Sequence, residues 1–368
     1  MIVKAALTAL LFLGCVSAID AQTAPPASGQ PSPIDDARNA LYPHPRTIDG
    51  KPINLGVFYP ISTNGREARQ YVNGLSLNLL VGVSGGETGV AAAGFSNVIM
   101  GNTSCVAVAG FSNHISGNAR GVQAAGFLNV IKGNATGVQA AGFINFTGGK
   151  GGVGVAGFGN VVRGDSSGVQ AAGFINVAHN VHSQVAGFIN VAKKVSGVQI
   201  AGLINIADSS EYPIGIINII KNGEKEIGVS TDETLTTLVS FRSGTRKLYG
   251  IAGLGYNDKG NRQLAAWEAG VGAHLFTFEG LRLNAEGVMV GLTDFEHGYY
   301  QRESFRLLPA FRLTGHLEIF AGPSFNYAYC YKGQGKDLIT HYLSSGNNSA
   351  GDFHGTYFGF TGGVQVRL

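Results

Sequence analysis

Charge is scarce in this sequence. Asp, Glu, Lys and Arg make up 13% of 368 residues and nearly cancel, leaving a formal net charge of +3 against 44% hydrophobic residues. So balanced and apolar a composition excludes an intrinsically disordered chain, which needs low hydrophobicity and high net charge. Nucleic-acid binding is excluded on related grounds: only eight charged residues fall between 91 and 210, and no basic stripe forms. Cysteine is scarcer still. Cys15, Cys105 and Cys330 are too few for a disulfide framework, and no CxxC or Cys/His spacing suggests zinc. Long apolar runs are missing too: past the extreme N-terminus nothing approaches the roughly 18 consecutive apolar residues of a spanning helix. What is abundant is Gly, 56 residues, yet far below one in three and without the triplet period of collagen.

The N-terminus reads as an export signal over 1–21. Lys4 supplies the positive end, Ala5 to Gly14 the apolar stretch, and Val16-Ser17-Ala18 or Ile19-Asp20-Ala21 the small residues before a cut, preferred after Ala21. The rival is lipidation at Cys15, since Leu13-Gly14-Cys15 is similar to the end of a lipobox. Residues 22–50, with Ala24-Pro25-Pro26 and Gln30-Pro31-Ser32-Pro33, read as a Pro-rich linker.

From residue 89 the sequence repeats. Gly121-Val122-Gln123-Ala124-Ala125-Gly126-Phe127-Leu128-Asn129-Val130-Ile131 returns at 137–146, 168–178 and 197–207. Its asparagines fall at 97, 113, 129, 145, 160, 176, 190, 205 and 218, a step of 13 to 16 residues. Two-helix repeats need twice that length, so one strand of about ten residues plus a turn of about five fits better. Alternation puts Val122, Ala124, Leu128 and Val130 on one face and Gln123, Ala125, Phe127 and Asn129 on the other. The joining pieces, such as Lys132-Gly133-Asn134-Ala135-Thr136, carry turn-forming residues.

Residues 226–368 alternate without repeating. Phe305, Leu307, Pro309, Phe311 and Leu313 oppose Arg306 and Arg312; Trp267, Ala269, Val271, Ala273 and Leu275 oppose Glu268 and His274; Phe358, Phe360, Val364 and Val366 oppose Tyr357, Thr361 and Gln365. Long polar connections (257–263, 293–304, 332–354) alternate with tight turns at Glu279-Gly280 and Thr314-Gly315. That asymmetry is expected of an outer-membrane barrel with long external loops and short periplasmic turns. Aromatics near strand ends, among them Phe276, Phe278, Tyr327, Tyr357 and Phe358, suit an interfacial girdle, while Pro309 and Pro323 call for a local bulge.

Lipid cannot satisfy backbone N–H and C=O groups, so a spanning chain of strands must close on itself. The expected fold is therefore all-β: an antiparallel transmembrane β-barrel over 51–368 of roughly 14–18 strands, 18 by direct count, built partly from the ~16-residue strand-turn repeats of 89–220, with non-repeat strands over 226–368. The alternative is a parallel β-solenoid followed by a small β-barrel, because every repeat turn has nearly the same length. In that fold the phenylalanines would form an internal ladder and the asparagines a hydrogen-bonded row, while Val130, Ile144, Ile175, Val177, Ile204 and Ile206 would face outward, a costly arrangement or the sign of an interface.

Tandem Gly-Val-Gln-x-Ala-Gly-Phe-x-Asn units at this spacing resemble the short surface repeats of spirochaete outer-membrane proteins and related exported proteins of Bacteroidetes. The resemblance covers about 89–220; Tyr59-Pro60-Ile61-Ser62 and Gly74-Leu75-Ser76-Leu77-Asn78 are similar to the stretch that precedes such repeats. It implies a surface or outer-membrane protein and carries over no catalytic residue. Cys105 and His182 at the leading Gly position, and Ala91, Ala107 and Gly154 at the Gln position, depart from the unit.

No HExxH, Gly-x-Ser-x-Gly, P-loop or EF-hand loop is present, so neither enzyme activity nor a cofactor is expected. The leading functional expectation is an exported, porin-like outer-membrane barrel, a passive pore or envelope structural protein. Its lumen would be lined by Gln123, Gln139, Gln170, Gln184, Gln199, Asn129, Asn145, Asn176, Asn205, Arg306, Arg312 and Glu268, and its partners would be outer-membrane lipid and the barrel assembly machinery. The alternative is a surface-displayed binding or adhesion protein using loops 293–304 and 332–354, with Tyr299, Tyr300 and Phe353 as contacts to an extracellular ligand.

Overall fold

The computed structural model describes residues 48–49, 52–258, 264–295 and 300–368. The expected signal peptide, Cys15 and nearly all of the linker lie outside the described residues. No helix among them is long and apolar enough to cross a membrane, which says nothing of a β-barrel.

The repeats do not form barrel strands. Each unit makes two strands, Ala119–Ala125 and Leu128–Ile131 in the unit at 121, separated by a corner at Gly126-Phe127. Each strand pairs in parallel with its counterpart one repeat away: Gln123 with Gln139, Asn129 with Asn145. The result is a parallel β-solenoid-like stack of about ten coils ending at Ile217–Ile220. The alternative fold holds here, and the continuous 14–18-stranded antiparallel barrel does not.

The corner explains why one expected strand became two. A Cβ on Gly126 would sit 2.1 Å from the Gly110 carbonyl oxygen of the preceding coil, and one on Gly142 would sit 2.0 Å from that of Gly126. Only glycine permits coils to stack so closely while turning sharply. The corner also rotates Phe127 out of the face it shares by simple alternation with Gln123 and Asn129. A phenylalanine ladder does form, from Phe95 to Phe188 with ring centroids 4.8–5.0 Å apart, but on the outside of the stack.

Ahead of the first full coil, Ile53–Phe58 and Tyr71–Ser84 pair in parallel, with a 3-10 turn at Gly65–Gln70 between them. They cover the open end of the stack with a polar core. Asn64 donates to Asn73 (2.9 Å), and Asn73 and Ser76 donate to the buried Glu87 carboxylate (3.2 and 2.7 Å).

Residues 224–367 close an eight-stranded antiparallel barrel: β1 (Glu224–Asp232), β2 (Thr236–Gly244), β3 (Leu248–Asn257), β4 (Leu264–Phe278), β5 (Leu281–Thr293), β6 (Tyr300–Arg312), β7 (Leu317–Cys330) and β8 (Phe353–Arg367). Each strand pairs with the next, and β8 pairs with β1, so no edge is left among them. The stretch 227–241 falls in two strands, because a turn at 233–235 lacking Gly, Pro and Asn interrupts it. Asp232 accepts bonds from the Thr234 and Thr236 amides (2.9 and 3.2 Å), and Leu235 adopts a positive φ of 60°. Pro309 and Pro323 sit without a bulge: the β6–β7 register passes unchanged from Arg306/Ser324 to Ala310/Phe320, and both prolines fall in the interval between.

Candidate functional site

Two interiors and two exteriors compete for the functional role, and alternation builds all four. Inside the solenoid, Asn129 donates to the carbonyl of Ala140 (2.8 Å) and to Oδ1 of Asn145 (2.8 Å), and the same pattern runs from Asn97 to Asn218. A carboxamide carries donor and acceptor together, so identical side chains satisfy one another along the stack. The glutamine row is less regular. Gln184 donates to Gln170 (2.8 Å) and Gln199 to Gln184 (3.0 Å), whereas both polar atoms of Gln123 lack a partner among the described residues. Gln123, Gln139, Gln170, Gln184, Gln199, Asn129, Asn145, Asn176 and Asn205, expected to line a barrel lumen, are buried in the interior of the solenoid instead.

The barrel interior is charged and layered. Midway, Arg242 meets Glu286 (2.9 Å) and Arg306 meets Glu268 (2.6 Å), with Ser240 donating to Glu268 and Tyr249 to Glu286. Near the end that carries the tight turns, Arg282 binds Glu226 and Glu318 (2.7 Å each) and Glu224 (3.0 Å), and Gln365 donates to both Glu226 and Glu318. Toward the long-loop end, Arg302 pairs with Asp232 and Glu233. Alongside these charges lies an apolar plug of Leu238, Ile251, Val288, Val290, Leu292 and Ala328, joined by Leu338 of the long loop. Buried charges without partners are prohibitive, and these guanidinium groups are matched by carboxylates across the barrel.

Arg306 and Glu268, expected to line a lumen, are buried inside the barrel as each other's partners. Arg312 is only half-buried, at the tight-turn end, 3.3 Å from Glu318. The proposed loop contacts fare differently. Tyr300 is no loop residue: it begins β6 and is 3% exposed beneath Tyr357. Phe353 begins β8 and packs edge-on against Tyr342, with ring centroids 5.0 Å apart. Tyr299 lies outside the described residues. Tyr357, expected in a girdle, points inward. Sequence reasoning passed over Arg242, Arg282, Arg302, Glu226, Glu286 and Glu318, although each occupies the polar phase of an alternating strand. Cys105 and Cys330 are buried and form no disulfide.

The outer walls are apolar. Leu254, Phe358 and Leu275 on the barrel are 73, 70 and 57% exposed, and Phe276, Phe305, Phe311 and Phe360 are similarly bare. The outward rows of the solenoid are also apolar: Val106, Val122 and Val138 on one side, and half-buried Leu128, Val130, Ile144 and Ile175 on the other. No group of three or more His, Cys, Asp or Glu placed to hold a metal occurs among the described residues. Comparison of the chain with models of protein families, with characterised proteins and with solved structures found no match.

Proposed function

We propose that this is an exported outer-membrane protein whose eight-stranded barrel is a closed anchor, holding the solenoid and the long-loop end at the envelope for a binding or structural role. One observation carries the reading: the barrel is inside out relative to a water-soluble one, with Arg302, Arg306 and Glu286 at most 2% exposed and Leu254 and Phe358 at least 70% exposed. Such inversion suits a hydrocarbon surround, where apolar side chains need no water and charges do. The ion-paired layers and the apolar plug favour an anchor over a passive pore. Chemistry plays no part in the reading.

The binding role is favoured by the long-loop end. Phe295 is 84% exposed there, and Leu343, 61% exposed, immediately precedes the short strand Ser344–Asn347. With both ends of the barrel chain at the tight-turn end, the usual topology turns these loops outward. The test joins fractionation, heat-modifiable gel mobility and planar-bilayer recording. Membrane localisation, a heat-dependent shift and electrical silence are expected; a soluble, unshifted product would refute the anchor, and discrete open steps would restore the pore.

A further inference from the structure

The last coil of the solenoid lies along the outer wall of the barrel in a defined direction. Its polar edge meets the β2–β3 turn, where Lys247 Nζ binds Glu211 and the Tyr212 hydroxyl (2.9 Å) and Thr245 donates to the Glu211 carbonyl (3.3 Å). From there Tyr212, Pro213 and Ile214 run up the wall beside Leu248, and the corner Gly215-Ile216 lies over Gly250. A Cβ on Gly250 would fall 2.1 Å from the Gly215 carbonyl oxygen and 2.3 Å from that of Ile216, so the backbones touch. The chain then returns toward the barrel end, its Asn218 amide bound to Ser243 Oγ (3.0 Å). Ile216 occupies the corner position that phenylalanine holds in earlier coils, and the coils stack in register. The phenylalanine edge is therefore the edge aimed up the wall, toward Val271 and Phe305, and the Lys-Gly-Asn edge stays level with the tight turns.

We propose that the phenylalanine edge of the solenoid is embedded in the lipid leaflet next to the tight-turn end of the barrel, as a keel that continues the apolar wall sideways. The proposal rests on the membrane reading above. Three observations choose lipid as the occupant. First, the edge is continuous with the barrel wall through the Gly250 contact. Second, Phe95, Phe111, Phe127, Phe143 and Phe158 remain 37–50% exposed though stacked, and the outward Val106, Val108, Val122, Val138 and Val155 flank them. At one ring per strand spacing of ~4.8 Å the ladder is a ridge roughly 30 Å long, well beyond scattered surface hydrophobes. Third, charge is segregated from it. Of the eight charged residues in 91–210, six are cations (Arg120, Lys132, Lys150, Arg163, Lys193 and Lys194); all six are exposed, and they lie on or beside the opposite edge, where lipid phosphates would meet them.

Trp267, the only tryptophan, projects outward from β4 and reports on the barrel without substitution. The full chain is reconstituted in phosphatidylcholine/phosphatidylglycerol vesicles whose acyl chains are brominated, and tryptophan quenching is read. Phe143→Trp, with Phe111→Trp as a second site, reports the ridge in a Trp267→Phe background; Lys132→Trp reports the polar edge. The proposal expects Trp267 and the ridge probes to lose most of their emission and the polar-edge probe to retain it. Quenched Trp267 with unquenched ridge probes overturns the keel and leaves the anchor standing, and blue-shifted but unquenched ridge emission would mark a protein cover instead. Unquenched Trp267 overturns both.

Discussion

The solenoid and the barrel obey one alternation rule and solve opposite problems with it. In both, alternate residues turn inward and many of these are polar, set beside buried apolar ones such as Ile115 and Ile131 in the solenoid and Leu238 and Ile251 in the barrel, while apolar residues dominate the outer faces. The solenoid carries through its interior a row of neutral asparagine amides that are satisfied by copies of themselves, so each coil repeats the bonds of its neighbours. The barrel sets charges in its interior whose pairings do not repeat: Arg242 meets Glu286, while Arg282 is shared among Glu224, Glu226 and Glu318. A neutral ladder spreads its cost thinly, while a buried ion pair concentrates it.

Substitutions at matched depth should break that symmetry, most visibly in the barrel. Glu286→Ala strands Arg242 in the interior and removes the acceptor of Tyr249; unfolding in urea, followed by Trp267 emission in detergent, should show a loss of about 3–5 kcal/mol. Replacing both Arg242 and Glu286 by apolar residues of similar volume should recover most of it, since the cost lies in the orphaned charge. In the solenoid, Asn145→Ala removes the donor to the Val155 carbonyl and to Asn160 Oδ1 and the acceptor of Asn129 Nδ2, and about 1–3 kcal/mol should be lost from the far-ultraviolet melting of the repeats. The barrel heat shift should survive it.

The smallest effect sharpens the contrast through the single buried carboxylate at the solenoid cap. Burial pushes Glu87 above the ordinary carboxylate range, against hydrogen bonds from Ser76, Ser84 and Asn73. The folded cap thus holds this proton more tightly than the unfolded chain. Its contribution is fully present below the ordinary glutamate range and is lost as pH rises through the folded value. Glu87→Gln should raise the melting temperature modestly at neutral pH and flatten its pH dependence; an unchanged slope would show the carboxylate already paired.

Much of this was legible in the sequence, because period-two alternation is a local property. The polar and apolar phases of β4, β6 and β8 and the inward asparagines followed from it directly. What alternation cannot report is where a strand bends. Gly126-Phe127 reads as strand until the carbonyl of the preceding coil is in place, and missing that corner turned a two-sided coil into one barrel strand and placed Phe127 inside. The turn at 233–235 escaped for a related reason, since Asp232 makes it by side-chain capping and without Gly or Pro. The ion pairs depend on register across the closed sheet, which sets Glu286 beside Arg306 at a distance no strand pattern encodes.

The seam of the barrel carries one more consequence, for the order of events. Coils of the solenoid meet partners only 13–16 residues away, whereas Gln365 must reach Glu226 across 139 residues before β8 can seal against β1. Loop-closure entropy makes short-range contacts form first. The stack can therefore be complete while the barrel is still an open ribbon, so that closure proceeds with a finished template already waiting at its flank.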